Sequence, residues 1–134
     1  MTSISSSYLG SLRTQASHLK SGNTIITDAP TDNNGKGEAF SPTDLVCAAL
    51  SSCMLTIMGI VADREKIDLK GLTSEIVKVM SSNPRKIEEI QITFNHPNLV
   101  ASEDQKQKLK QAARTCPVAL SLSESLKQSI EFNF

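Results

Sequence analysis

The chain has 134 residues, with 14 basic and 14 acidic side chains, a formal net charge of zero, and 4% aromatic residues without tryptophan. A neutral balance leaves no cationic track for phosphates, and so few rings leave no platform for stacked bases, so nucleic-acid binding is not expected. The length suits one domain spanning residues 1–134, and a hydrophobic content of 39% is ordinary for a globular chain.

The stretch Met1–Tyr8 has neither a positively charged segment nor an apolar run, so no secretory signal is expected and the chain reads as cytoplasmic. In a reducing compartment its three cysteines would act through reactivity rather than as a disulfide framework. There is no Cys-x-x-Cys, and His18 and His96 stand at no ligand spacing, so a metal site is not expected.

Residues 8–19 and 23–28 read as two strands joined near Ser21-Gly22-Asn23. Residues 29–41, rich in Pro, Asp, Asn and Gly, read as a long loop of the kind that often carries function. Ser41-Pro42-Thr43-Asp44 then starts a helix, with Ser at the N-cap, Pro at the first turn and an acid three residues on. This helix should run to about Glu65. From Leu45 to Ala62 it carries no charge, and apolar side chains cover nearly every face. Such a helix is either buried or in a membrane. Its length borders on a membrane span, but Ser51, Ser52, Thr56 and Gly59 dilute it, which favours burial. A chain of this size struggles to cover the helix on all sides, so a homodimer is expected, with no membrane partner.

Residues 72–80 alternate as a strand, Ser81–Pro84 turns, and residues 86–94 form the partner strand with Ile90, Ile92 and Phe94 on one face. Ser102–Gln105 opens a second helix with a capping box, running to about Arg114. A short helix over 118–126 and a strand over 128–134 complete the chain. Strands segregate from helices, so the fold class is α+β.

The cysteines differ in context. Cys47 and Cys53 lie six residues apart on the apolar helix and face different directions. Cys47 reads as a small core hydrophobe. Pattern alone leaves Cys53 open between a core residue and a reactive thiol lacking an obvious activator. Cys116 precedes Pro117 and so falls at a helix N-cap, where free N–H groups favour a thiolate; a plain boundary residue is the alternative.

Gly22–Pro30, Gly35–Leu45, Ala48–Cys53 and Ala112–Val118 together resemble the OsmC/Ohr family, in order and spacing through nearly the whole chain. The resemblance implies an OsmC-like fold, with antiparallel sheets around a long buried central helix and an intertwined homodimer. It implies reduction of organic hydroperoxides, and of hydrogen peroxide, without metal, flavin or other bound cofactor. Cys53 would be the peroxidatic thiol and Cys116 the resolving one. An external dithiol, lipoyl-type in some members, would reopen their disulfide. The Ohr branch uses an arginine and a glutamate to activate the thiolate. Here Thr43 stands at the glutamate position, so Asp44 is the acidic candidate, with an N-terminal capping role as its alternative. Arg13 is the candidate arginine, or else a solvated strand residue. Ala119 replaces the histidine common after Cys-Pro-Val. The competing reading is an OsmC-fold protein that binds a small apolar or thiol ligand with little turnover.

Overall fold

The computed structural model describes all residues, 1–134, as two compact units, Met1–Val46 and Cys47–Phe134. The first unit is a three-stranded antiparallel sheet of β1 (Ile4–Gly10), β2 (Arg13–His18) and β3 (Thr24–Asp28) in the order β1-β2-β3. The segment expected as one strand over 8–19 is thus broken by a hairpin. Ser11 and Leu12 both take positive φ, 54° and 62°, as a tight two-residue turn between twisted strands requires. That turn normally announces itself with Asn-Gly or Asp-Gly. Here it is held instead by the Leu12 amide donating to the Tyr8 hydroxyl at 3.2 Å and by the Ala29 amide donating to the Leu12 carbonyl at 3.0 Å.

The loop after β3 is ordered by backbone contacts. A 3-10 turn covers Thr31–Asn33, and the amides of Asn33 and Gly35 both donate to the Pro30 carbonyl. Gly35 passes so close to Ala29 that a Cβ would stand 1.7 Å from its carbonyl oxygen, so no side chain fits there. Helix α1 (Pro42–Glu65) follows where the sequence placed it.

The second unit is a sheet of β4 (Thr73–Ser81), β5 (Lys86–Asn95) and β6 (Lys127–Asn133) in the order β4-β5-β6. β4 and β5 are an antiparallel pair, but β6 runs parallel to β5. The expectation of purely antiparallel sheets is therefore corrected. β5 and β6 are joined by a crossover through α2 (Glu103–Arg114) and α3 (Pro117–Ser121), and a crossover of that length returns the chain in the same direction. The last helix is shorter than expected, because Leu122 leaves the helical conformation with ψ 154°.

All three helices lie against one face of this sheet. The Ser51 hydroxyl shares a 2.7 Å hydrogen bond with that of Ser74 on β4, the Arg114 guanidinium stacks over Phe132 on β6, and the Gln128 amide donates to the Ala119 carbonyl. Leu50, Met54, Met58, Ile90, Ile92, Phe94 and Leu109 are fully buried. Each contributes about 1.5–3 kcal/mol by leaving water. α2 starts with the expected capping box, Ser102 and Gln105 each accepting the other's backbone amide.

α1 is long and apolar enough to cross a bilayer by length and composition. Within the chain it presents one covered stripe, Cys47, Leu50, Ser51, Met54, Met58, Val61 and Ala62. Its opposite side, with Ala49, Ser52, Thr56 and Ile60, is open. The complete burial expected for this helix is not achieved inside one chain, since a single sheet can cover only one side.

Candidate active site

Cys116 owes its place to Pro117. A proline fixes the first turn of α3 and leaves Cys116 as the N-cap, with extended backbone (φ −67°, ψ 153°). Its sulfur accepts the Ala119 amide at 3.4 Å, filling the capping role usually taken by an oxygen. Cys116 has no exposed surface.

Cys53 sits in the middle of α1 and is partly exposed. Its thiol lies beside that of Cys116, near enough to act on it electrostatically, although 63 residues separate them in sequence. The fold thus brings together the two cysteines singled out in the sequence. None of the three cysteines is in a disulfide, and Cys47 is buried, with 3% of its surface exposed. That agrees with a core role for Cys47.

The electrostatics of Cys116 differ from expectation. A helix N-cap was expected to favour its thiolate. Instead burial pushes the Cys116 thiol above its ordinary range, and the Cys53 thiol beside it adds to the rise. The amides of Ala119 and Val118 pull the other way but do not prevail. Desolvation of a fully enclosed sulfur outweighs two N–H dipoles at the start of a five-residue helix.

Arg13 and Asp44 lie in the first unit, and each has defined partners there. Arg13 makes a forked ion pair with Asp28, Nε to Oδ1 at 2.7 Å and Nη2 to Oδ2 at 2.8 Å, and reaches Glu38 at 3.0 Å. Asp28 also accepts the Glu38 amide at 3.1 Å and is itself buried. The Arg13 guanidinium holds the Asp28 carboxyl below its usual range, against the opposing effect of burial. The two acids hold Arg13 above its own. This fork ties the strand pair β2–β3 to the loop that leads into α1. Arg13 is therefore not the solvated strand residue that its sequence context allowed. Asp44 completes a reciprocal cap at the start of α1: its carboxylate accepts the Ser41 amide at 2.9 Å, and its own amide donates to the Ser41 hydroxyl at 3.1 Å.

Sequence reasoning overlooked Asp28 and Glu38 as partners of Arg13. Their spacing, 15 and 25 residues from Arg13, carries no local signal; only the β2–β3 register, which sets Arg13 opposite Asp28, reveals the first. No cluster of three or more histidine, cysteine or acidic side chains with metal-binding geometry occurs in the chain.

Residues 35–131 match the family model described as OsmC-like protein. No curated protein sequence matches the chain. Among solved structures, the chain is similar to a Psychrobacter arcticus protein assigned to the osmotic stress induced and detoxification response. The identity is 48% and the TM-score 0.90, over 99% of this chain and 96% of that one. It is also similar to an organic hydroperoxide resistance protein from Legionella pneumophila, at 16% identity and TM-score 0.72 over 100% and 98% of the two chains. A Vibrio cholerae protein assigned to organic hydroperoxide resistance, with captopril bound in one of its active sites, matches at 17% identity and TM-score 0.70 over 99% and 92%. These last two establish the fold that the chains share.

Proposed function

The chain belongs to the OsmC-like protein family, and from that premise we propose that it is a cysteine-based peroxidase acting on organic hydroperoxides. One observation carries the reading: two thiols outside any disulfide, distant in sequence, stand close enough for one to raise the other's pKa. The Cys53 thiolate attacks the O–O bond of the peroxide. The leaving oxygen takes a proton and departs as the alcohol, and Cys53 becomes a sulfenic acid. Cys116 then attacks the Cys53 sulfur, releasing water and forming a disulfide. An external dithiol, of the lipoyl type used in the Ohr branch, returns both thiols. No bound cofactor or metal enters these steps.

Apolar neighbours on α1, namely Leu50, Met54 and Ile57, favour organic over inorganic peroxides. In this reading Arg13 and Asp44 serve by fixing the loop over 35–41 and the start of α1. A second copy of the chain completes the molecule. Ile4, Tyr8 and Ile25 are exposed on one face of the first sheet, as is Ile60 on α1, and a homodimer would cover them. The cytoplasm, where thiols are kept reduced, is the compartment this chemistry needs.

A second reading is favoured by captopril, a thiol compound, in an active site of the Vibrio cholerae relative. In that reading the surroundings of Cys53 in this chain bind a small thiol with little turnover. The two separate in one assay: consumption of cumene hydroperoxide by the protein with excess dihydrolipoamide. The peroxidase reading expects repeated turnover that Cys53→Ser reduces to the rate without protein. Equal consumption by Cys53→Ser and the parent would remove it.

A further inference from the structure

The backbone at Gly35 passes too close to Ala29 for any side chain, and the residue before it is Asn34. Asparagine followed by glycine is the pair most open to a reaction within its own backbone. The glycine nitrogen, with no side chain beside it, attacks the carbon of the asparagine side-chain amide. The N–H proton passes to water, the C–N bond of the side-chain amide breaks, and ammonia leaves. Water then opens the five-membered imide at either carbonyl, giving aspartate or isoaspartate. Water enters and ammonia departs, and nothing is oxidised or reduced.

Two features of the folded loop oppose the first step. Asn34 ends the 3-10 turn in the left-handed region, with φ 66° and ψ 13°, a conformation that asparagine tolerates. That ψ sets the Gly35 nitrogen nearly over Asn34's own nitrogen, away from the Cβ that carries the amide. Ring closure needs the Gly35 nitrogen turned to the Cβ side. The Gly35 N–H also donates to the Pro30 carbonyl at 2.9 Å, so its proton is already engaged. Turning ψ would break that bond and pull Gly35 from its place against Ala29, where the Gly37 amide also donates to the Ala29 carbonyl.

From this geometry we infer that Asn34 is a deamidation site held shut by the loop's own backbone, so that a chain is modified there when its loop opens. The tight passage that demands glycine at 35, and so creates the labile pair, also holds the glycine nitrogen out of reach. Either product adds a negative charge to a loop that already carries Asp32 and Glu38. Isoaspartate also lengthens the main chain by one carbon just before Gly35, and the close passage against Ala29 cannot be rebuilt with it. A modified chain therefore keeps an altered loop between β3 and α1, the loop that brings Glu38 to Arg13. None of this depends on peroxide reduction.

The test incubates the full chain in mildly alkaline buffer, once folded and once in concentrated guanidinium chloride. Trypsin, cutting after Lys20 and Lys36, releases Asn34 in one peptide, and fragment masses separate it from Asn23 and Asn33. Chromatography resolves the aspartate and isoaspartate forms. Asn34 should deamidate in the denatured chain and at least about tenfold more slowly in the folded one. A smaller difference overturns the inference, and so does an Asn34 that stays intact in guanidinium chloride. Protection that disappears on dilution of the folded protein would assign it to a second copy instead of the loop, and overturns the inference as well.

Discussion

At the scale of residues, the chemistry depends on which thiol is enclosed. Burial keeps Cys116 protonated in the resting protein. That suits a thiol that must wait until its neighbour has been oxidised. Cys116→Ser should therefore consume a single equivalent of hydroperoxide and accumulate a Cys53 sulfenic acid, trapped by dimedone and read by mass spectrometry. Normal cycling of that variant with a dithiol would deny Cys116 the resolving role. Asp28 supplies a pH prediction. Its folded carboxyl lies below the unfolded value, chiefly because Arg13 hydrogen-bonds its charged form. Its contribution to stability is thus fully present above the unfolded carboxylate pKa of about 4, and is lost as pH falls through the folded value. Asp28→Asn should lower the melting temperature at neutral pH, and the difference from the parent should shrink in acid. A difference that stays constant down to strongly acidic pH would mean that the fork with Arg13 contributes nothing through charge.

At the scale of elements, helix starts were the most legible features of the sequence. Pro42 with Asp44, and Ser102 with Gln105, declare their helices through side chains that satisfy amides within four residues. Cys116 before Pro117 was legible as a cap for the same reason. The hairpin at Ser11-Leu12 was not, since neither residue type favours positive φ, and the turn depends on Tyr8 and Ala29 at its flanks. Ser102→Ala should cost about 1 kcal/mol, read from denaturant midpoints, as loss of a helix cap does. Gly35→Ala should be worse than its half-buried loop position suggests, because the new methyl would meet the Ala29 carbonyl. A melting temperature for Gly35→Ala equal to that of the parent would show that the loop yields freely there.

At the scale of the whole molecule, composition and segregation of elements gave the α+β class, and the order of motifs gave the family. Strand direction in the second sheet was not legible, because the parallel pairing of β6 comes from where a helical crossover returns the chain. Nor was the burial of Cys116 legible, since an enclosed sulfur and an exposed one look alike beside the same proline. The apolar character of α1 was read as burial, and the structure assigns one stripe to the sheet while leaving Ile60 exposed. If a second copy covers the open faces, the protein should sediment as a dimer. Ile25→Asp, placed on the apolar face of the first sheet, should shift it toward monomer. A monodisperse monomer for the parent would leave those faces uncovered and contradict the proposed assembly.

All three scales converge on the Cys53–Cys116 pair, and the most direct measurement is disulfide mapping of the reduced protein after one equivalent of cumene hydroperoxide. The account predicts a Cys53–Cys116 disulfide, with Cys47 still free. Neither that disulfide nor a sulfenic acid on Cys53, in protein that remains folded, would contradict it.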